Sequence, residues 1–340
     1  MRLASRAALA KAAAYASAVT MAGALHAAPV ARSYSGARLE PRSQVLVGAG
    51  QVSVDDFVAF AGALHGQANP VIFMDYVDLH STAIPAFFAE LKGKLAAIPW
   101  YCVPQIGLGF DDDSGRPYDD RVASGAYDAN IRLLAHCLKE LGRPTFLRIG
   151  YEFHGTWNGY SPASYRAAFL RVVAALRSEG ASQVATVWCA EAGSLPEDYL
   201  KYYPGDEAVD WWAIDLFDAD HFSRPMLGRF MEDSRARRKP VMIGESTCRH
   251  VGTLDGAKAW GQWFEPYFAF IESNANVKAF CYINWDWAPW AKRYSTDWSD
   301  WGDCRIQRSE LVAQRFLDRI RPALYLKATN ECPAELSSRQ

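Results

Sequence analysis

The chain has 340 residues, half of them apolar and 22% charged, and its formal net charge is −2. This length and apolar content are sufficient for a large buried core, and the near-neutral charge argues against a nucleic-acid partner. The twelve tryptophans suggest aromatic surfaces, although most tryptophans in proteins pack in the core.

The first 28 residues have the pattern of an export signal. Three basic residues precede the apolar stretch 12–25, which is too short to cross a bilayer, and small residues follow it. We therefore predict a signal peptide over residues 1–28 and a secreted or periplasmic protein with no membrane partner after cleavage. The polar residues 29–43 are predicted to form a loose lead-in segment.

From residue 44 onward, strand-like and helix-like runs alternate eight times. The predicted strands cover residues 45–48, 71–76, 100–108, 145–151, 184–189, 209–217, 240–244 and 277–285. The predicted helices cover residues 53–65, 84–98, 127–141, 161–178, 197–203, 225–237, 257–273 and 309–320. The strands are apolar on both faces, as a fully covered parallel sheet requires. This rhythm predicts an α/β fold, a single (β/α)8 TIM barrel that forms one catalytic domain over residues 44–340.

A doubly wound open sheet is the alternative fold. The Gly-rich phosphate turn of such folds is incomplete here, because Gly48 and Gly50 are not followed by a third glycine in place. Paired-cysteine motifs and histidine clusters are also missing, so we expect neither a metal nor a cofactor. The seven cysteines permit disulfides after export, and Cys304 and Cys332, which flank the last helix, are the predicted pair.

Two glutamates stand at predicted strand ends, where active groups of such barrels are placed. Glu152 follows the fourth strand and Glu245 ends the seventh. Two carboxylates that face one cleft can divide glycoside hydrolysis into acid/base and nucleophile roles. Each acid could instead simply close its strand, and Glu191 is a rival carboxylate. No serine nucleophile elbow or cysteine–histidine signature supports a different chemistry.

The spacing of Arg148, Glu152, Gly155 and Trp157 resembles the strand-four motif of the family-26 glycoside hydrolases, typified by β-mannanases. Residues 239–245, which read Lys-Pro-Val-Met-Ile-Gly-Glu, look like the nucleophile strand of the same family. The resemblance implies a retaining (β/α)8 hydrolase in which Glu152 is the acid/base and Glu245 the nucleophile, acting on a carbohydrate substrate.

The resemblance extends over residues 145–290. Residues 209–215, which end at Asp215, look like the sixth strand of the family, and Trp188 and Trp285 match tryptophans on its fifth and eighth strands. Two positions depart from the pattern. Tyr151 stands where the family usually has histidine, and Phe217 stands where a tyrosine often lies beside the nucleophile.

The predicted function is therefore a secreted, retaining, endo-acting β-glycanase that cleaves β-mannan or β-glucan by double displacement. The predicted substrate-binding residues are Arg148, Tyr151, His154, Trp157, Trp188, Asp215 and Trp285. The departures from the family pattern leave two alternatives open, a barrel that binds glycan without cleaving it and a transglycosylase in exopolysaccharide handling. The oligomeric state is left open by the sequence.

Overall fold

Eight parallel strands close into a barrel in the computed structural model, which describes residues 30–50, 53–80, 82–112, 115–294 and 296–337. The predicted signal peptide lies outside these residues. The barrel strands are β1 (Val45–Ala49), β2 (Ile72–Asp78), β3 (Val103–Gly109), β4 (Thr145–Ile149), β5 (Val184–Glu191), β6 (Trp211–Leu216), β7 (Val241–Ser246) and β8 (Val277–Tyr282). A ninth, two-residue strand, β9 (Tyr325–Leu326), pairs with the start of β1. Consecutive strands pair in order, and β1 closes the barrel by pairing with both β2 and β8. The predicted (β/α)8 barrel is confirmed.

Helices cover the outside of the barrel and connect its strands. They are α1 (Val54–Ala63), α2 (Ile84–Ala97), α3 (Asp119–Ala123), α4 (Asp128–Leu141), α5 (Pro162–Glu179), α6 (Pro225–Ala236), α7 (Ala257–Ala259), α8 (Glu265–Ser273), α9 (Trp287–Tyr294) and α10 (Glu310–Ile320). A π-helical turn, Trp260–Phe264, joins α7 to α8, and a 3₁₀ turn, Tyr199–Tyr202, replaces the predicted helix after β5. The short helices α3 and α9 lie in segments that the sequence pattern predicts as loops.

The core has two layers, because successive side chains of a strand point to opposite faces. One layer fills the inside of the barrel and includes Phe146 and Cys189. The other lies between the barrel and the helices and includes Leu147 and Trp188. Any strand residue that shares the inward alternation of Phe146 or Cys189 therefore points into the barrel interior.

The lead-in segment is fastened to the barrel, whereas the sequence pattern predicts a loose segment. The Arg32 guanidinium donates hydrogen bonds of 2.8 Å to the carbonyl oxygens of Ile271, Glu272 and Asn274, at the end of α8. The Lys278 ammonium donates to the carbonyl oxygens of Ser33 and Arg42 at 2.7 and 2.9 Å. Residues from Ala31 onward accordingly form one compact unit.

The predicted disulfide between Cys304 and Cys332 is wrong. The Cys304 amide donates to the Trp285 carbonyl, just past the end of β8. Cys332 lies near Tyr101, whose amide donates to the Thr329 carbonyl just before β3 begins. The carboxyl end of one strand and the amino end of another lie at opposite ends of a parallel barrel, so the two thiols cannot meet. All seven cysteines are present as free thiols.

Across the part of the chain that the structure describes, no helix is both long enough and apolar enough to cross a bilayer.

Candidate active site

Arg148 is the centre of a charged cluster at the carboxyl end of the barrel. It follows the inward alternation of Phe146 on β4, and its side chain is fully buried. One guanidinium nitrogen, Nη1, donates to both carboxylate oxygens of Asp215 at 3.1–3.2 Å. The other, Nη2, donates to Glu245 Oε1. A buried guanidinium needs such partners, because its charge would otherwise be costly in the barrel interior.

The end of β7 aims Glu245 at this arginine. Ile243 of β7 pairs with Ile214 of β6, and the next pair is Ser246 with Leu216. Two residues of β7, Gly244 and Glu245, therefore lie opposite the single residue Asp215 of β6. The same shift occurs against β8. A bulge of this kind bends the strand and redirects a side chain. The Glu245 amide donates to Asp215 Oδ1 at 2.8 Å, which holds the bulge in place.

Two tyrosine rings flank the guanidinium. The Arg148 Cζ atom lies 5.8 Å from the ring centroid of Tyr76 and 4.9 Å from that of Tyr151. Burial, followed by the nearby Glu245 charge, raises the pKa of the Tyr76 phenol well above its ordinary value. Tyr76 is therefore a neutral phenol near Glu245. The tyrosine near this glutamate thus comes from β2. At the end of β6, where family-26 enzymes often have a tyrosine beside the nucleophile, this chain has Phe217.

Glu152 follows β4 in a strained turn. Its φ angle of 51° lies in the left-handed region, which non-glycine residues rarely adopt. The Asn158 side chain donates to the carbonyl oxygens of Tyr151 and Glu152 at 2.9 and 3.1 Å, and the Gly155 amide donates to Glu152 O at 2.8 Å. These bonds hold the turn in a conformation that presents the Glu152 side chain to the cluster.

Trp157 contacts the Glu152 carboxyl directly. Its indole Nε1 donates to Glu152 Oε2 at 2.7 Å, while half of the tryptophan surface stays exposed. A side chain on Gly155 would collide with the Trp157 ring, so the glycine makes room for the indole. Trp157 therefore offers an open aromatic face next to the carboxyl that it orients.

The two glutamates lie in different electrostatic surroundings. Burial, followed by the charges of Asp215, Glu245 and Glu191, raises the pKa of the Glu152 carboxyl well above its ordinary value, and the Trp157 hydrogen bond opposes this rise only in part. Glu245, in contrast, has a direct ion pair with Arg148. The cluster thus favours the protonated form of Glu152 and places a guanidinium against Glu245.

Glu191, the rival carboxylate, is held by the loop that follows β5. Its oxygens accept hydrogen bonds from the Gly193 and Ser194 amides and from the Ser194 hydroxyl. His154 lies beside this loop, with Nε2 3.3 Å from Ser194 Oγ, and burial lowers the pKa of its imidazole to about 4. His154 is therefore neutral near neutral pH and is placed to orient the loop.

One group of side chains has the composition of a metal site. Ligand atoms of Asp218, Asp220 and His221 lie within 4.8 Å of one another. The Phe217 amide, however, donates to His221 Nδ1 at 3.2 Å, so the proton of the neutral imidazole is on Nε2 and leaves no lone pair there. Asp218 is already paired with Arg249. This group therefore does not suit a metal ion.

The predicted tryptophans do not all reach the site. Trp188 is fully buried between the barrel and the helices, where it stacks on Phe153 at 4.4 Å and contacts Trp212. Because Trp188 has no exposed surface, it cannot contact a ligand, and its predicted substrate-binding role is wrong. Trp285 is only partly buried and stacks on Trp290 with ring centroids 4.2 Å apart.

Three residues near the cluster are not among the predicted catalytic and substrate-binding residues. Asn158 donates to the Glu152 carbonyl, Tyr76 lies near Glu245, and the Gln105 amide donates to the Gly244 carbonyl at 2.9 Å. Tyr76 and Gln105 share the inward alternation of Ile72 and Val103 on their strands, which is a signal that sequence alternation contains. The role of Asn158 depends on the turn geometry and has no such signal.

The carboxylates, the buried arginine and the tryptophans lie at the carboxyl ends of the strands, which is where (β/α)8 barrel enzymes place their active groups, so the fold and site define the class of (β/α)8 barrel enzymes. Comparison with known proteins narrows this class. The chain is 27% identical over 327 residues to a β-1,3-xylanase from Alcaligenes sp, covering 88% of this chain and 68% of that protein. It is 30% identical over 239 residues to the β-1,3-xylanase TXYA from Vibrio sp, covering 63% of this chain and 52% of that protein.

Solved structures share the fold at low identity. A GH26 protein from Muricauda sp superimposes with a TM-score of 0.64 at 13% identity, covering 88% of this chain and 90% of that one. A GH26 β-mannanase from Bacteroides ovatus gives a TM-score of 0.60 at 13% identity, covering 87% and 94%. No family model matches the chain. The predicted resemblance to family-26 glycoside hydrolases is confirmed, and the comparisons support a glycoside hydrolase that diverges from its relatives.

Proposed function

We propose that the protein is a retaining, endo-acting glycoside hydrolase that cleaves β-linked polysaccharides of the xylan or mannan type. β-1,3-Xylan is the first substrate to test, because the two sequence relatives above are both named β-1,3-xylanases. This choice moves the substrate away from the β-mannan or β-glucan that the sequence motifs suggested.

The pairing of unlike glutamates carries the proposal. Burial and the surrounding carboxylates raise the pKa of Glu152, which favours its acid form, whereas Glu245 is ion-paired with Arg148. Double displacement needs one carboxylic acid and one carboxylate on the same cleft, and two identical environments would not supply them. The cluster at the carboxyl end of the barrel has this asymmetry.

The reaction follows from these protonation states. Glu152 protonates the glycosidic oxygen as Glu245 attacks the anomeric carbon, which breaks the C–O bond and forms a glycosyl ester on Glu245. Glu152, now ionised, takes a proton from water, and the resulting attack releases the sugar with its configuration retained. Arg148 holds Glu245 in position for both steps.

Aromatic side chains near the carboxylates provide surfaces for the sugar rings. Trp157 is half exposed beside Glu152, and Trp285 is partly exposed near the end of β8. The apolar face of a pyranose packs well on an indole. We propose that these two tryptophans bind neighbouring units of the polysaccharide chain.

We also propose that the protein is exported, because a polysaccharide substrate is too large to enter the cell intact. The basic start and short apolar stretch of residues 1–28 support this proposal. N-terminal sequencing of the protein isolated from its native host should find a start after residue 28, and a protein that keeps its Met1 would contradict export.

The function is tested with a substrate panel and matched variants. Purified protein is incubated with β-1,3-xylan, β-1,4-xylan, β-mannan and β-glucans, and the release of reducing ends is measured. Glu245→Ala should lose measurable turnover, and Glu152→Ala should lose activity by about 10²- to 10⁴-fold, as expected for removal of a general acid. The surface variant Glu197→Ala is the control, since Glu197 is exposed in the loop after β5.

Azide distinguishes the two roles. Added azide should restore turnover of an activated aryl glycoside in the Glu245→Ala variant with formation of a glycosyl azide of inverted configuration, because azide replaces the missing nucleophile. The wild-type product, followed by NMR, should first appear as the retained anomer. Full activity of Glu245→Ala, or an inverted wild-type product, would overturn the assignment.

A further inference from the structure

Cys248 and Cys304 both contact the hydroxyl of Tyr282 at the carboxyl end of the barrel. The Cys248 Sγ atom lies 3.4 Å from this hydroxyl, and the hydroxyl donates to the Cys304 carbonyl oxygen at 2.6 Å. The Cys304 thiol donates to the Trp301 carbonyl at 3.5 Å, and after burial its proximity is the next cause that raises the pKa of the Cys248 thiol. Both side chains are completely buried.

The backbone segments around the two cysteines run together. The Thr253 amide donates to the Asp303 carbonyl at 3.0 Å, and the His250 amide donates to the Trp301 carbonyl at 3.2 Å. The Gly252 backbone approaches Asp303 so closely that an added side chain carbon would lie 3.2 Å from its carbonyl oxygen. The proximity of the two cysteines is therefore supported by paired backbone in the residues that follow Cys248 and those that precede Cys304.

The other cysteines have different surroundings. Cys189 and Cys281 lie inside the barrel, where their thiols donate to Asp215 and Gln105 at 3.4 and 3.3 Å. Cys332 lies beside Tyr101 at the opposite end of the barrel. The Cys102 thiol donates to the Pro70 carbonyl at 3.6 Å, and Cys137 lies on α4. Cys248 and Cys304 are the pair that shares the Tyr282 hydroxyl.

We propose that Cys248 and Cys304 form a disulfide bond when the protein folds in an oxidising compartment. Two S–H bonds break and one S–S bond forms; the two protons and two electrons pass to a disulfide oxidant, such as oxidised glutathione, which becomes two thiols. Oxidation takes place during folding, because the folded protein buries both sulfur atoms.

The bridge would connect the loop after β7, which begins just past Glu245, to the loop after β8. Arg249 and Trp301 already link these loops, with the Arg249 Cζ atom 4.7 Å from the Trp301 ring centroid. A covalent bond at Cys248 would restrict the unfolded chain and fix both loops at the rim of the site. The inference concerns a covalent modification and does not depend on the proposed activity.

The test counts thiols in the full chain. Protein refolded with oxidised glutathione is denatured and alkylated without reduction, and intact mass gives the number of labelled cysteines. We expect two fewer labels than the seven that reduced protein takes. Trypsin then separates the cysteines, since residues 239–249 hold Cys248, residues 294–305 hold Cys304 and residues 328–339 hold Cys332. A linked pair of the first two peptides is the expected product.

Two variants complete the test. Cys332→Ser should keep the linked peptides, whereas Cys304→Ser should lose them. The oxidised wild type should unfold at a temperature about 5 °C higher than the reduced form. Seven labelled cysteines after oxidative refolding, or a bond that includes Cys332, would overturn the proposal. If Cys304→Ser does not fold, the wild type and Cys332→Ser still decide the outcome.

Discussion

At the scale of single residues, Glu152 combines a left-handed backbone conformation with a carboxyl group whose pKa is raised. Its left-handed φ angle is held by hydrogen bonds from Asn158 and Gly155, and its carboxyl is buried among other acids. Both features cost free energy of folding, and neither improves packing. Such costs are typical of residues retained for chemistry.

The burial of Glu152 should make stability depend on pH. Its folded pKa is raised above the ordinary value of 4.5, so the native state holds the proton more tightly than the unfolded state. The stability of the wild type should therefore fall as pH rises from that value through the folded pKa. Glu152→Gln removes this titration, and its free energy of unfolding should exceed that of the wild type by about 1 kcal/mol at pH near 7.

Denaturant unfolding of both proteins at acidic and neutral pH checks this expectation. Well below the ordinary pKa of a glutamate, the difference between variant and wild type should become small, because both side chains are then neutral. An advantage of equal size at both pH values would show that the charge of Glu152 is not its cause.

The Trp157 indole should set the pH range of activity. Its hydrogen bond to Glu152 Oε2 stabilises the ionised carboxylate and so lowers the pKa of that group. Trp157→Phe keeps an aromatic ring but removes the donor, so the alkaline limb of kcat/KM should move to higher pH. If Trp157 were only a sugar platform, KM would change and this limb would stay in place.

At the scale of elements, the bulge of β7 and its glycine hold the charged cluster together. A side-chain carbon on Gly244 would lie 2.7 Å from Asp215 Oδ1 and 2.9 Å from Arg148 Nη1. The Gly244 carbonyl also accepts the hydrogen bond from Gln105. Position 244 at the end of β7 therefore needs a glycine, because the ion pair between Arg148 and Asp215 lies against its Cα atom.

Gly244→Ala should therefore lower both activity and stability. The added methyl group pushes apart the contacts of Arg148, and overpacking of this kind costs about 1–3 kcal/mol. Thermal unfolding and kcat/KM are measured together, with Gly228→Ala as the matched control. Gly228 is exposed in α6 and has open space around it, so the same substitution should be neutral or slightly stabilising there. Equal behaviour of the two variants would contradict the crowding argument.

At the scale of the whole molecule, the lead-in segment fastens the far end of the barrel. Arg32 alone supplies hydrogen bonds to several carbonyl groups at the end of α8. The carbonyls of Ile271 and Glu272 lie in the last turn of α8, where helix carbonyls lack intrahelical partners, so the guanidinium satisfies groups that would otherwise depend on water. The segment adds stability at a distance from the proposed active site.

Arg32→Ala should lower the free energy of unfolding by about 2 kcal/mol, because hydrogen bonds from a charged donor are lost. It should leave KM unchanged, since Arg32 lies at the end of the barrel opposite the glutamates. Denaturant unfolding is compared with that of Arg132→Ala, which removes an exposed arginine from α4. A loss of stability as small as in this control would contradict a fastening role.

The order of the eight strand and helix units could be predicted from the sequence, because hydrophobic runs and turn residues are local signals. The strands β1, β5 and β8 begin at the residues where their patterns begin, at Val45, Val184 and Val277. The helices α3 and α9 could not be predicted from the sequence, because both are short and lie in polar or tryptophan-rich stretches. The same local signals placed Glu152 and Glu245 at strand ends.

The sequence by itself determined the barrel, the positions of the two glutamates and the motif of Arg148, because strand periodicity and spacing along the chain contain that information. Only the tertiary structure decided which side chains meet: that Trp188 faces the helices, that Tyr76 reaches Glu245, and that Cys248 rather than Cys332 lies beside Cys304. These contacts join residues far apart in the chain. They depend on strand register, on the bulge in β7 and on the end of the barrel from which each loop emerges, and local sequence specifies none of them.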